Sequence, residues 1–284
     1  MNNEAANTKE SLDHLSDVQI ELLNLLHVFK EFCEKHDLEF YASGGTILGA
    51  VRHKGFIPWD DDIDLMMPRA DYDRLCDVLR EQVPEGYAVY KSDELLFGTF
   101  ENRNIRVTHG DSEWDKRNPY LGIDIFPLDG MPENKVAARN HILQCLFIFA
   151  LIKLKRIEYI KNTEKLKNRE KRPKIEKLLI KYGKLIGFAL KAFDVEQLIQ
   201  HLYQVTAKYD YYNSKFVCYY LSRYRGKEIY AIRDLEHPVI MPFEDTTVKI
   251  YRHYDKYLSR IYGEYMHLPP EELRERHGDI RIVR

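Results

Sequence analysis

Between residues 12 and 36, Leu15, Val18, Leu22, Leu25, Leu26, Phe29 and Cys33 recur at three- and four-residue intervals, which predicts an amphipathic helix. A short strand, LEFYAS, follows, and the Gly44–Gly45 pair breaks it. TILGAVRH reads as a short helix opened by Thr46, leading into a loop with Gly55 and Pro58. In DIDLMM the period changes to two, a strand that Pro68 ends. RADYDRLCDVLREQV returns to helical spacing. Residues 87–107 predict strands with a turn in the acidic stretch Ser92–Glu94, and GIDIFPLDG (122–130) a further strand, stopped by Pro127 and the Asp129–Gly130 turn. From 133 to 208 the pattern is helical and long, interrupted near Pro173. The remainder mixes Tyr-rich strands and loops with one more helix, HYDKYLSRIYGEYM (253–266), closed by Pro269 and Pro270. The implied class is α/β (α+β): a mixed sheet flanked by helices, with a helix-rich C-terminal half.

Composition adds size and location. The chain has 284 residues, 44% of them hydrophobic, enough for one large domain or one and a half. A net charge of −2 advertises neither nucleic acid nor membrane, and no nucleic-acid partner is expected. The charge is unevenly spread: Lys153–Lys191 holds fourteen Lys and Arg against four Glu. Within it, KIEKLLIKYGKLIGFALKAF (174–193) has the composition of a helix that lies on an anionic membrane. The plainer reading is a core helix with solvated lysines. Cys33, Cys76, Cys145 and Cys218 form no CxxC pair, which predicts free, mostly buried thiols in a reducing compartment. MNNEAANTKE lacks the apolar segment of a signal peptide. The longest apolar run, ILQCLFIFALI (142–152), falls short of the about 20 residues that span a bilayer. A cytoplasmic protein is expected, soluble or peripheral on the inner face of the membrane.

The chemistry concentrates in FIPWDDDIDLMMPR (56–69). Side chains on a strand alternate, so Asp62 and Asp64 share one face while Ile63 and Leu65 take the other. Their stems stand ~6.6 Å apart, which lets two carboxylates converge on a hard cation. Without a cation they repel. Mg²⁺ or Mn²⁺ beside a substrate phosphate answers that repulsion. Asp124, between Ile123 and Ile125, completes such a site from a neighbouring strand or takes a proton from an attacking hydroxyl. Gly44, Gly45 and Thr46 end a strand and open a helix, where bare N–H groups and the helix dipole hold a phosphate. Arg52 and Lys54 offer charge to further phosphate oxygens. Asp60 and Asp61 precede the pleat and are assigned to the loop, as supporting or solvated groups.

The order strand–GG–helix, DIDL, then a separate IDI resembles a nucleotidyltransferase fold of the polymerase-β type. More closely, GGTILGAVRHKGFIPWDDDIDLMM, GIDIFPLDG and YLSRIYGEYMHLPP resemble the LicD family of phosphotransferases, related to fukutin and the fukutin-related protein. These blocks run from about residue 38 to 270 in the family's order. The resemblance implies that Asp62, Asp64 and Asp124 are the metal carboxylates and that Gly44–Gly45 contact the donor phosphate. It implies transfer of a phospho-substituent, such as phosphocholine, from a CDP-linked donor to a hydroxyl of a surface glycan or its lipid-linked precursor. Teichoic acid and lipopolysaccharide are glycans of that kind, and CMP leaves. The chain then divides into an N-terminal helix (1–37), a nucleotidyltransferase-like core (38–132) and a helix-rich region on the acceptor side (133–284). Between ENRNIRVTHGD and GIDIFPLDG the Asn/Thr-rich stretch of many members is missing, a difference that bears on which group is transferred.

Each assignment has a plainer competitor. Arg52 and Lys54 also suit surface ion pairs, and His53 a loop contact. Trp59 suits a core anchor beside a turn better than a stack on cytosine. The tyrosines at 209–224, with Arg223 and Arg225, suit an acceptor groove or simply fill strand faces. Glu264 carries no assigned chemistry. At the level of the whole protein, the alternatives are a true nucleotidyltransferase releasing pyrophosphate and a non-catalytic glycan- or nucleic-acid-binding module. A pure binder has no use for three such carboxylates.

Overall fold

Ser16 starts the first helix, α1 (Asp17–Lys35), through a reciprocal cap: its hydroxyl accepts from the Gln19 N–H at 3.3 Å, and the Gln19 carboxamide accepts from the Ser16 N–H at 3.0 Å. The predicted apolar stripe is the buried one. Leu22, Leu26 and Phe29 are fully buried, and each such side chain contributes ~1.5–3 kcal/mol. Phe29 stands edge-on to Phe40 and Phe100, at 5.1 and 5.2 Å. The computed structural model describes residues 14–92, 97–109, 119–157, 194–222, 224, 226–274 and 280–283.

The sheet under α1 is mixed. β1 (Tyr41–Ala42) lies antiparallel to β2 (Asp64–Pro68), which lies parallel to β5 (Tyr120–Gly130). β5 is antiparallel to β4 (Phe97–His109), which pairs along its first half with β3 (Tyr87–Ser92). Along its second half β4 pairs with β10 (Ile280–Ile282). Between β1 and β2 comes α2 (Gly44–Arg52); α3 (Arg69–Asp73) follows β2. This is the α+β arrangement of a nucleotidyltransferase-like fold. The helix predicted over RADYDRLCDVLREQV is shorter than expected: α3 passes into a π-helical turn, Arg74–Val78, closed by Leu79 N–H on the Arg74 carbonyl at 2.8 Å. The widened turn brings Tyr72, Leu75 and Cys76 inward together, all at 2% exposure or less.

The chain forms two compact units: residues up to Leu128 with Ile229 onward, and Asp129–Glu228. In the second, α4 (Lys135–Ile157) and α5 (Val195–Thr206) accompany β6 (Phe216–Cys218), which pairs with the last two residues of β5. Tyr220 donates its hydroxyl to the Gly130 carbonyl at 2.7 Å. Tyr211 and Tyr220 are buried, so part of the Tyr-rich stretch fills a core. Back in the first unit, β7 (Ile229–Ala231) and α6 (Ile232–Leu235) lead to a hairpin, β8 (Val239–Phe243) and β9 (Thr246–Ile250). α7 (Tyr254–Tyr262) ends at Gly263, whose φ of +71° suits glycine. All four cysteines are free and buried, and burial pushes the Cys76 and Cys145 thiols up to about 12.

Arg223, Arg225, the basic stretch 174–193 and, of the turn expected at Ser92–Glu94, all but Ser92 lie outside the described residues. The apolar run 142–152 sits inside α4, which gathers flanking apolar residues. Among the described residues, that one helix is long and apolar enough to cross a membrane by length and composition.

Candidate active site

The β1–α2 junction and the start of β2 are tied together through Asp64. Its carbonyl accepts from the Ser43 N–H at 2.9 Å, and its N–H donates to the Thr46 hydroxyl at 2.9 Å. With both main-chain groups committed, the Asp64 carboxylate is held beside the first turn of α2. A Cβ on Gly44 would stand 2.9 Å from Asp64 Oδ2, and Gly44 has a φ of +50° that disfavours any side chain. A Cβ on Gly45 would stand 2.8 Å from Asp60 Oδ2. The two glycines therefore make room for carboxylates at a positive helix end, where the dipole favours negative charge.

β2 and β5 set Asp64 and Asp124 side by side as partners in a parallel ladder, ~4.8 Å apart at the backbone. The Asp124 N–H reaches the Ile63 carbonyl at 3.0 Å. Ile63, Leu65, Ile123 and Ile125 are fully buried, while Asp62, Asp64 and Asp124 are half-buried on the other face. On β4, Thr99 pairs with Asp124 and its hydroxyl donates to Asp124 Oδ1 at 3.4 Å. A polar row thus crosses three strands.

The alternation extends one step further back than the strand itself. β2 begins at Asp64, so Asp62 precedes it, yet Asp60, Asp62 and Asp64 face one way. Asp60 hydrogen-bonds Asp62, and its carboxyl is pushed up to about 8. Burial is the main cause, followed by the charge of Asp62 and their hydrogen bond, then the charge of Asp61. Burial and the neighbouring carboxylates thus favour the protonated form of Asp60. Asp61 points the opposite way, is 5% exposed, and accepts from the Ile280 N–H at 3.0 Å. It is not a solvated loop group: it fastens β10 to the loop. Among the described residues, no three His, Cys, Asp or Glu side chains close on a common point tightly enough to hold a metal ion.

Arg52 and Lys54 stand at the other end of α2, ~12 Å from the glycines at 1.5 Å per residue. Arg52 donates to the Tyr265 carbonyl at 2.7 Å and to His53 Nε2 at 2.9 Å. Burial, then the charge of Arg274, lowers its pKa. Lys54 has a φ of +64° and donates to the Val51 carbonyl at 3.2 Å. Trp59 is half-buried, with the Arg274 guanidinium 5.2 Å from its ring centre and His53 edge-on at 6.2 Å. Glu264 is exposed and pairs with His267 at 2.9 Å.

Two positioning residues have no motif of their own in the sequence. The Gln19 carboxamide, 2% exposed, donates to the Ile57 and Asp60 carbonyls at 3.2 and 2.9 Å, linking the α1 cap to the aspartate loop. Glu244, at the hairpin tip, accepts from the Phe56 N–H at 2.7 Å and lies where a Gly55 side chain would be. The capping-box spacing of Ser16 and Gln19 is legible in the sequence; the second use of Gln19 is not.

Residues 37–149 match the family described as LicD/FKTN/FKRP, nucleotidyltransferase domain. The chain is similar to the lipopolysaccharide cholinephosphotransferase LicD of Haemophilus influenzae, 30% identical over 272 residues, which cover 93% of this chain and 95% of the relative. It is also similar to an uncharacterized protein of Rickettsia prowazekii, 36% identical over 117 residues, 40% of this chain and 41% of that protein. A Rickettsia typhi protein matches at 33% over 117 residues, 41% of this chain and 37% of that protein. The first of these similarities runs through both compact units, and the chain belongs to the LicD family of phosphotransferases.

Proposed function

We propose that the chain moves a phospho-substituent, phosphocholine in the first instance, from a CDP-linked donor to a hydroxyl of lipopolysaccharide or a related lipid-linked glycan, releasing CMP. The observation that carries this reading is the pairing of Asp64 with Asp124 at the mouth of a glycine-opened helix. The relative named as a lipopolysaccharide cholinephosphotransferase supports the choice of substituent and acceptor.

By its chemistry, all carboxylate, the donor set suits a hard divalent cation, Mg²⁺ or Mn²⁺, on which the three side chains would have to close further than they do here. Asp62, Asp64 and Asp124 would hold the ion, which when bound neutralises the donor diphosphate. The first N–H groups of α2 would receive phosphate oxygens, beside the Asp60 and Asp64 carboxylates for which Gly44 and Gly45 make room. Asp124, held by Thr99, orients the acceptor hydroxyl or takes its proton. Positioning and charge stabilisation supply most of the acceleration, as is usual for phosphoryl transfer. The reaction is assigned to the cytoplasmic face of the membrane.

The test is turnover of CDP-choline, CDP-ethanolamine, CDP-glycerol, CDP-ribitol, CTP and ATP with Mg²⁺ or EDTA, reading CMP and pyrophosphate. CMP release from one CDP conjugate, lost with EDTA and in Asp62→Asn, is expected. Pyrophosphate release from CTP or ATP instead would replace this reading with nucleotidyl transfer.

A further inference from the structure

α4 is apolar on two opposite sides. At 100° per residue His141, Cys145, Ile148 and Ile152 form one stripe, and all four are buried. The His141 ring stands edge-on to Tyr209 and Tyr220, at 5.0 and 4.9 Å, so this stripe is committed to the protein. On the opposite side Val136, Leu143 and Phe147 are 68%, 53% and 64% exposed. They fall within ~40° of one line along the helix. A helix that is apolar all round has both faces covered in its working state.

Charge decides what covers the second face. The helix contains five Lys and Arg and no Asp or Glu. Lys135, Arg139 and Lys153 flank the exposed stripe on one side, ~60–100° round from it. A second copy packed antiparallel would set Lys135 and Arg139 of one helix against Lys153 and Arg156 of the other, like against like. Residues 158–193 of the same chain carry eleven Lys and Arg against four Glu, again like against like. An anionic lipid surface has the complementary charge and takes up the apolar side chains. A crossing helix would meet lipid on all sides, whereas α4 has one face already packed.

We propose that α4 lies in the plane of an anionic membrane, inserting Leu143 and Phe147 beneath the headgroups while Lys135, Arg139 and Lys153 contact lipid phosphates. The inference rests on the proposed function only in that a lipid-linked acceptor brings the protein to such a surface.

The experiment is co-flotation of the full chain with phosphatidylcholine vesicles, with and without about one third phosphatidylglycerol, and no donor or acceptor present. Wild-type protein is expected to float with the anionic vesicles and to release as salt rises. Leu143→Asp/Phe147→Asp should lower that partition about tenfold or more while keeping its melting temperature and its turnover of a soluble acceptor. Absence of flotation by the wild type overturns the proposal. So does a wild-type dimer in light scattering that the double variant splits, which assigns the face to a second copy. A large fall in the variant's melting temperature also overturns it, because the face is then covered by the chain itself. Vesicle binding without turnover refutes the reaction and leaves the membrane surface standing; turnover without binding does the reverse.

Discussion

The carboxylate edge of β2 and β5 and the outer face of α4 depart from ordinary burial in opposite directions. At the first, Asp60, Asp62, Asp64 and Asp124 sit in a half-buried row among fully buried isoleucines and leucines. At the second, Leu143 and Phe147 face outward from a helix whose other side is packed. Each departure costs free energy in the isolated protein: like charges crowd at one, and apolar surface meets water at the other. In the functions proposed above, each would be relieved by something from outside, a cation with a phosphate donor in one case and a lipid surface in the other. The first is held by hydrogen bonds to Ser43, Thr46 and Thr99, the second by nothing on its outer side among the described residues. Chemistry needs fixed atoms; surface adhesion needs only area and sign.

The comparison breaks most sharply at Asp64. Asp64→Asn keeps the main-chain bonds to Ser43 and Thr46 but removes the charge, so turnover should fall about 1,000-fold with little change in melting temperature. A parallel loss of fold would make Asp64 a structural residue. Gly44→Ala places a methyl against the Asp64 carboxylate at a strained φ, and kcat should drop on the order of 100-fold. Gly263→Ala, whose added Cβ meets nothing within 4 Å, serves as the control for positive-φ strain alone.

Gln19→Leu tests whether the aspartate loop is held from α1. It leaves the Ile57 and Asp60 carbonyls without their donor and should cost about 2–3 kcal/mol in denaturant unfolding, with a raised KM for the donor. A stability loss without a change in KM would reduce Gln19 to a cap.

On α4, pH reports the packed side. Burial, then the charge of Lys208, lowers the His141 pKa below 6.5, so the folded protein refuses a proton that the unfolded chain accepts. Stability from this site is complete above about pH 6.5 and declines as pH falls through that value toward the folded pKa. His141→Phe should flatten the melting temperature over that window. The smallest effect belongs to the outer side: Phe147→Asp should change unfolding free energy in vesicle-free buffer by no more than about 0.5 kcal/mol. Its buried neighbour Ile148→Asp should unfold the second unit.

The sequence by itself determined the α1 stripe, the α2 and β2 elements and the pairing of Asp62 with Asp64 on one face. These are local: the period of apolar residues, a glycine pair and a proline act within a few residues of themselves. It also carried the family, because blocks of motif survive in order along the chain. Tertiary structure decided the rest. The π-turn that shortens α3 follows from packing Tyr72, Leu75 and Cys76 together, which helical spacing alone does not require. Arg52 and Lys54 lie next to the glycines in the sequence, but a helix turns eight residues into ~12 Å and sets them on other carbonyls. Asp61 looked like its neighbours until β10 arrived from the far end of the chain to bond it. Gln19 and Glu244 become part of the site for the same reason: a hydrogen bond across 38 or 188 residues leaves no period to read.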